Sequence, residues 1–186
     1  MTYFLQNLIN ALQWGSFYAL IALGYSMVYG ILMLFNFAHG DIFMVGAYIG
    51  FGIASLLLAM VAWGELALPG WMILVLTILV SMFLTALVGV IVERVAYRPL
   101  RDAPRASAAI TGLMIGIILE TGNLAIMGAS RVRFPTLIQS VTYEMGGVFV
   151  TNKKIMIVVV SIALMIALHQ FIKRSKMGHG HARHGL

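Results

Sequence analysis

The chain has 186 residues, 61% of them hydrophobic and 10% charged, and a mean hydropathy of +0.98. A soluble domain carries roughly 25% charged residues to cover its surface, so this composition excludes a water-soluble enzyme and points to a lipid bilayer as the surroundings. The net charge of +6 does not indicate nucleic acid, because the basic residues sit in short clusters between apolar runs, and the lack of cysteine excludes disulfides, thiolate metal sites and a cysteine nucleophile.

A bilayer core needs about 20 apolar residues of helix, and five intervals meet that need. Met1 to Gly40 carries no charge. It lacks the basic start of a cleaved signal peptide and is too long for one, so it is expected to stay in the mature chain. A single crossing there puts the N-terminus outside, whereas a second pass by Tyr25 to Leu34 puts it inside. A third arrangement is one span followed by a broken or re-entrant piece near Asn36 to Asp41, tolerated only where protein or a water-filled cavity shields the freed backbone. The stretch Leu34-Phe35-Asn36-Phe37-Ala38-His39-Gly40-Asp41 is a break in any of these. Gly40 can adopt conformations other residues avoid, and Asp41 is expected to cap a helix beginning at Ile42. The break reads either as a capped turn or as the lining of a translocation path, with Asn36, Phe37, Ala38, His39, Gly40 and Asp41 as path candidates. His39 lacks a second ligand at helical spacing, so no metal is assigned.

The second and third spans are Ile42 to Gly64 and Leu66 to Val92. Gly46 and Gly50 form a GxxxG pattern in the second, as do Gly112 and Gly116 in the fourth, and both are expected to be packing faces where helix backbones approach closely. Gly24, Gly30 and Gly52 are assigned the same use. Between spans, Glu93 to Arg105 holds Arg94, Arg98, Arg101 and Arg105, a density of positive charge retained on the cytoplasmic side. In this loop Glu93, Arg94, Tyr97, Arg98 and Arg101 are expected to anchor the helix end, with Tyr97 at the membrane interface and Pro99 ending the helix.

The fourth span, Ala106 to Ser130, is interrupted by Glu120, and a charge at mid-membrane costs about 2.5 to 3.5 kcal/mol on insertion scales. Either Glu120 and Asn123, on one helical face, share a network facing the bundle or a cavity, or the span slides until both reach the external interface. Both residues are path candidates. Arg131 to Lys154 then forms an external loop with turns at Pro135, Gly146 and Gly147. The last span, Ile155 to Ile172, leads into a basic cytoplasmic tail with Lys173, Arg174, Lys176 and Arg183. The expected fold is all-α, a polytopic transmembrane helical bundle of about five spans with a broken or re-entrant element near residues 25–41 left open. No GxxxxGK[ST], HExxH or GxSxG pattern is present, so no catalytic apparatus is visible, and any driving energy must come from another subunit or an ion gradient.

Three stretches carry a family resemblance: Gly15 to Gly30; Asn36-Phe37-Ala38-His39-Gly40-Asp41 with Gly46-Ala47-Tyr48; and Glu93-Arg94-Val95-Ala96-Tyr97-Arg98-Pro99-Leu100-Arg101. Together they resemble the first permease of bacterial branched-chain amino acid ABC importers, with weaker likeness at Leu119 to Asn123 and Lys173 to Gly178. The resemblance implies a multi-pass permease of the bacterial inner membrane, paired with a second homologous permease, two cytoplasmic ATPase subunits that hold ATP-Mg, and a periplasmic amino-acid-binding protein. It implies no cofactor on this chain and a substrate such as leucine, isoleucine or valine. Permeases for urea and short amides share an Asn-x-Ala-His-Gly signature and remain an alternative. The Asn36 to Asp41 break falls near the translocation path on this likeness.

Residues 1–178 thus read as the N-terminal part of an importer's transmembrane domain, and residues 179–186 as an atypical tail. Codons for Gly-His-Gly-His-Ala-Arg-His-Gly, read one base later, can encode Thr-Gly-Met-Arg-Ala-Thr-Ala, which resembles the start of the family's coupling loop. A single-base frameshift is therefore expected there, rather than a metal site at His179, His181 and His184. The alternative function is a non-transporting membrane interaction fragment that docks through its GxxxG faces.

Overall fold

The computed structural model describes residues 2–32, 36–100 and 103–174. Leu34, Phe35, Arg101, Lys176 and the tail 179–186 lie outside them. In chain order the elements are α1 (Thr2–Leu32), α2 (His39–Ala62), α3 (Gly70–Val92), α4 (Arg105–Met127), β1 (Thr142–Met145), β2 (Val148–Thr151) and α5 (Asn152–Arg174). A π-helical turn, Glu93–Tyr97, and a 3-10 turn, Arg98–Leu100, prolong α3.

Long charge-free runs become helices because a helix satisfies its own backbone, the requirement lipid imposes. α2, the extended α3, α4 and α5 are each long and apolar enough to cross a membrane. α1 has 31 residues, about 46 Å of helix at 1.5 Å per residue, and carries Gln6, Asn7, Asn10 and Gln13 in its first half. Tyr25 to Leu32 simply continue α1, which removes the second pass considered for Tyr25 to Leu34. The helices turn large apolar side chains outward, Phe83 at 69% exposure and Ile126 at 80% among them, a surface suited to lipid or protein rather than water.

The chain divides into two compact units, residues 1–27 with 140–186, and residues 28–139. In the first, the expected loop before α5 contains a β-hairpin, with Tyr143 opposite Val150 and Met145 opposite Val148. Gly146 and Gly147 have φ of +59° and +82°, the two-residue turn that matches strand twist and requires glycine. The Gln6 amide brackets Phe149, accepting from its N–H at 2.8 Å and donating to its carbonyl at 3.1 Å. Lys154 donates to Asn10 Oδ1 at 2.6 Å. A lysine expected in an external loop thus has its ammonium bound to α1.

In the second unit, α2 and α3 run antiparallel along a seam of small residues. A Cβ at Gly46 would lie 2.8 Å from Thr85 Oγ1, and one at Gly50 would lie 3.7 Å from Ser81 Cβ. Ala54 is fully buried, and Ile73 and Thr77 are buried on the facing helix. Gly30 and Gly52, by contrast, face open space, so they are not packing positions among the described residues.

This geometry predicts that Gly46→Leu destabilises the protein by about 1–3 kcal/mol through overpacking, read as a lower unfolding midpoint in detergent. Gly52→Ala, at an open helical position, should leave the midpoint unchanged or raise it.

Candidate functional site

The break between α1 and α2 is organised by Asn36. Its Oδ1 accepts the Ala38 N–H at 3.1 Å, and its carbonyl accepts the His39 N–H at 3.2 Å. An asparagine closing such a local turn substitutes for missing helical bonds. Ala38, fully buried, then accepts the Ile42 N–H at 2.9 Å and starts the helix. The helix therefore begins at His39, not Ile42, and Asp41 sits inside its first turn rather than capping it. Its carboxylate still lies near the positive end of the helix dipole. Gly40 is an exposed helical residue without positive φ, so its conformational freedom is not used.

Glu93 to Tyr97 also depart from expectation. They form no loop but a π turn, in which the Arg98 N–H reaches the Glu93 carbonyl. The wider turn leaves Ala96 and Tyr97 buried, packed with Val92 against Ile42, Val88 and Ile115. Tyr97 is only 6% exposed, and its hydroxyl donates to Asn36 Oδ1 at 2.9 Å. It is a core residue and not an interfacial anchor, because a buried phenol with a polar partner is better placed than one at the head groups. Arg94 and Arg98 are exposed, and Glu93 is half-buried.

The second GxxxG pattern receives this junction. A Cβ at Gly112 would lie 2.5 Å from Tyr97 Oη and 3.3 Å from the Phe37 nitrogen, and one at Gly116 would overlap the Asp41 carboxylate. α4 thus presents two glycines to the turn, the tyrosine and the aspartate.

Between α2 and α3 lies a groove of about 820 Å³. Asn36, His39, Glu93 and Tyr97 mark one end, because the start of α2 lies beside the end of α3. Phe43, Ala47, Met82 and Ala86 contribute apolar wall. Ser81 and Thr85 line it further along, but their hydroxyls donate to their own helix, to Ile78 O at 3.0 Å and Ser81 O at 2.6 Å. The groove is therefore apolar along its length and polar at one end.

Glu120 and Asn123 are not part of it. Glu120 is exposed and makes no hydrogen bond or ion pair with a described residue, while the Asn123 amide only approaches Met44 Sδ, at 4.0 Å. The two do not form the shared network considered from sequence. Among the described residues no group of His, Asp and Glu could hold a metal ion. Sequence reasoning did not find the groove wall on α3. The available signal was Thr77, Ser81 and Thr85 at intervals of four, a small polar stripe matching the glycines of α2.

A family model described as branched-chain amino acid transport system / permease component matches residues 7–181. The chain belongs to that family. It is a multi-pass protein of the inner membrane, in a family of transport permeases rather than of catalysts. It is 38% identical, over 180 residues, to the high-affinity branched-chain amino acid transport system permease protein BraD of Pseudomonas aeruginosa. It is 35% identical to the corresponding permease protein LivH of Escherichia coli K12 and 34% to that of Salmonella typhimurium. Each alignment takes in 95% of this chain and 57% of the relative, so the chain spans little more than half the length of these proteins. No solved structure matches it.

Tyr97→Phe should lower stability by about 1 kcal/mol, the usual net value of one hydrogen bond. Asn36→Ala should cost more, about 1–3 kcal/mol, because it removes the acceptor of two hydrogen bonds at once, from the Tyr97 hydroxyl and from the Ala38 N–H. The double variant should fall short of the sum, and unfolding midpoints of the four proteins in detergent measure the coupling.

Proposed function

We propose that this chain is the N-terminal part of a permease subunit of an ATP-driven importer for branched-chain amino acids, and that the groove between α2 and α3 contributes to its translocation path. The observation that carries the reading is the groove itself, an apolar surface ending in amide, imidazole, carboxylate and phenol groups. A substrate with an aliphatic side chain and a zwitterionic head has the same division. The family membership and the printed names of the relatives support the substrate class. ATP-Mg belongs on two cytoplasmic ATPase subunits, and the remaining partners are a second permease and a periplasmic amino-acid-binding protein. Coupling runs through conformational change in the assembled membrane domain.

The distinction from urea or short-amide transport rests on size and polarity. Those solutes have no aliphatic side chain to place against Phe43, Met82 and Ala86, so such a groove gives them little. In the bacterium that carries the gene, deleting it should lower uptake of leucine, isoleucine and valine but not of urea, and restoring it should recover the uptake. Unchanged leucine uptake on deletion sinks the reading. Gly89 lines the groove and a Cβ there would meet nothing within 4 Å, so Gly89→Leu puts bulk into the groove from an open position. Leucine uptake should then fall at least about tenfold, a loss worth roughly 1.4 kcal/mol of barrier, with the amount of chain in the membrane unchanged.

A further inference from the structure

We propose that residues 117–127 of α4 form a docking face for a transmembrane helix of another subunit, and that this helix brings a lysine or arginine to Glu120. The inference needs only that α4 crosses the membrane, and it stands whether or not the groove carries a solute.

Depth decides what must cover Glu120. The span Ala106–Met127 has 22 residues, about 33 Å at 1.5 Å per residue, which is close to the thickness of the hydrocarbon core. Glu120 comes seven residues before Met127, so it sits about 10 Å inside that end. A glutamate side chain is too short to snorkel that far. The carboxylate is exposed and makes no hydrogen bond or ion pair with a described residue. Left in lipid it costs about 2.5 to 3.5 kcal/mol on insertion scales, and an apolar cover does not remove that cost.

The packing of α4 shows where its own neighbours stop. Ala108, Gly112 and Gly116, four residues apart, are buried, and the two glycines lie against Tyr97, Phe37 and Asp41. Glu120 and Leu124 continue the same spacing but are exposed. From residue 117 to residue 127 nothing is buried, and only Leu119 and Asn123 are half-buried. Gly122 is exposed there, and a Cβ on it would meet nothing within 4 Å. Such a position lets another helix come close in lipid.

The charge selects the occupant. Intramembrane carboxylates are found paired, and a cation compensates the charge, whereas an amide would satisfy a hydrogen bond and leave the charge in place. A second copy of this chain is a poor cover. Docking through the same face would bring a second carboxylate to the same depth, where like charges repel strongly at low dielectric. Nor does α4 carry any Lys or Arg after Arg105, so a copy of this helix has no cation to offer at that depth.

The chain has no cysteine, so Leu124→Cys gives one thiol for a nitroxide label one turn from Glu120. Relaxation of the label by oxygen reports lipid, relaxation by a nickel chelate reports water, and shielding from both reports protein. The label is read in native-membrane discs cut from the bacterium that carries the gene, with the signal of the unaltered chain subtracted. It is read again with the purified chain diluted into vesicles of phosphatidylethanolamine and phosphatidylglycerol. The label should be shielded from both reagents in the discs and gain oxygen access in the vesicles. Adding Glu120→Gln, which keeps hydrogen bonding without the charge, should give oxygen access in the discs as well, while Glu120→Asp should keep the shielding.

Oxygen access in the discs puts lipid on the face and nickel access puts water there, and either overturns the docking. Shielding that persists in the vesicles at every dilution overturns it too, because no other subunit is then needed. Shielding that survives Glu120→Gln overturns the cation. Should that variant fail to accumulate, dicyclohexylcarbodiimide, which attacks protonated carboxyls in lipid, tests the unaltered chain. It should modify Glu120 in the vesicles and spare it in the discs, and modification in the discs overturns the ion pair.

Discussion

Where a chain stops being helical inside a bilayer, the freed N–H and C=O groups have no water to bind, and each one left bare costs several kcal/mol. The junction between α1 and α2 meets that constraint with one side chain. Asn36 closes the turn through Oδ1 and its own carbonyl, and the same oxygen receives the Tyr97 hydroxyl from the far end of α3. A local repair of the backbone is thereby tied to a partner 61 positions away in sequence. That tie joins the end of α3 to the turn before α2 and fixes the polar end of the groove, while the seam of small residues holds the two helices together along their length.

The remaining contacts of this unit follow from the absence of a hydrophobic drive between helices in lipid, where close approach and polar contacts do the work. On α2 the glycines admit the Thr85 and Ser81 side chains, and on α4 they admit Tyr97, Phe37 and Asp41. The two GxxxG patterns thus differ in what they receive. The first is a seam between regular helices, and the second is a cradle for an irregular junction. A side chain added at Gly112 or Gly116 would press on the groups that hold the break together, so its effect should reach the groove end through Asn36.

Much of this architecture is legible in the sequence because charge-free runs of bilayer length have few alternatives to helix. α2, α3 and α4 begin and end near the limits set by Asp41, Glu65, Glu93 and Arg105. The errors lie where side chains choose between equally polar partners. Asp41 and Asn36 are both reasonable caps by type, but only Asn36 lies before the first helical turn, and helix start is a property of the backbone that composition does not fix. Tyr97 suits the interface by chemistry, and a one-residue widening of the helix places it in the core instead. The hairpin before α5 was legible and passed over. Two adjacent glycines between short runs such as Thr142 to Met145 and Val148 to Thr151 are a hairpin signal, which a search for apolar runs of bilayer length does not register because the strands are only four residues each.

Glu120 shows the limit from the other side. Its charge in an apolar run marks it as a group requiring polar company, which is a statement about cost and not about location. The structure leaves it exposed on α4, outside the groove, with the nearby Asn123 amide against a methionine sulfur. At about 2.5 to 3.5 kcal/mol for a carboxylate near mid-membrane, that exposure cannot be to hydrocarbon at full depth without a compensating partner or water. The groove end presents the opposite case, since Glu93 lines it together with Asn36 and His39. Two carboxylates that look alike in the sequence therefore divide by environment. One sits on an outward face whose complement must come from beyond its own helix, and the other is half-buried on the groove wall among the polar groups of its end.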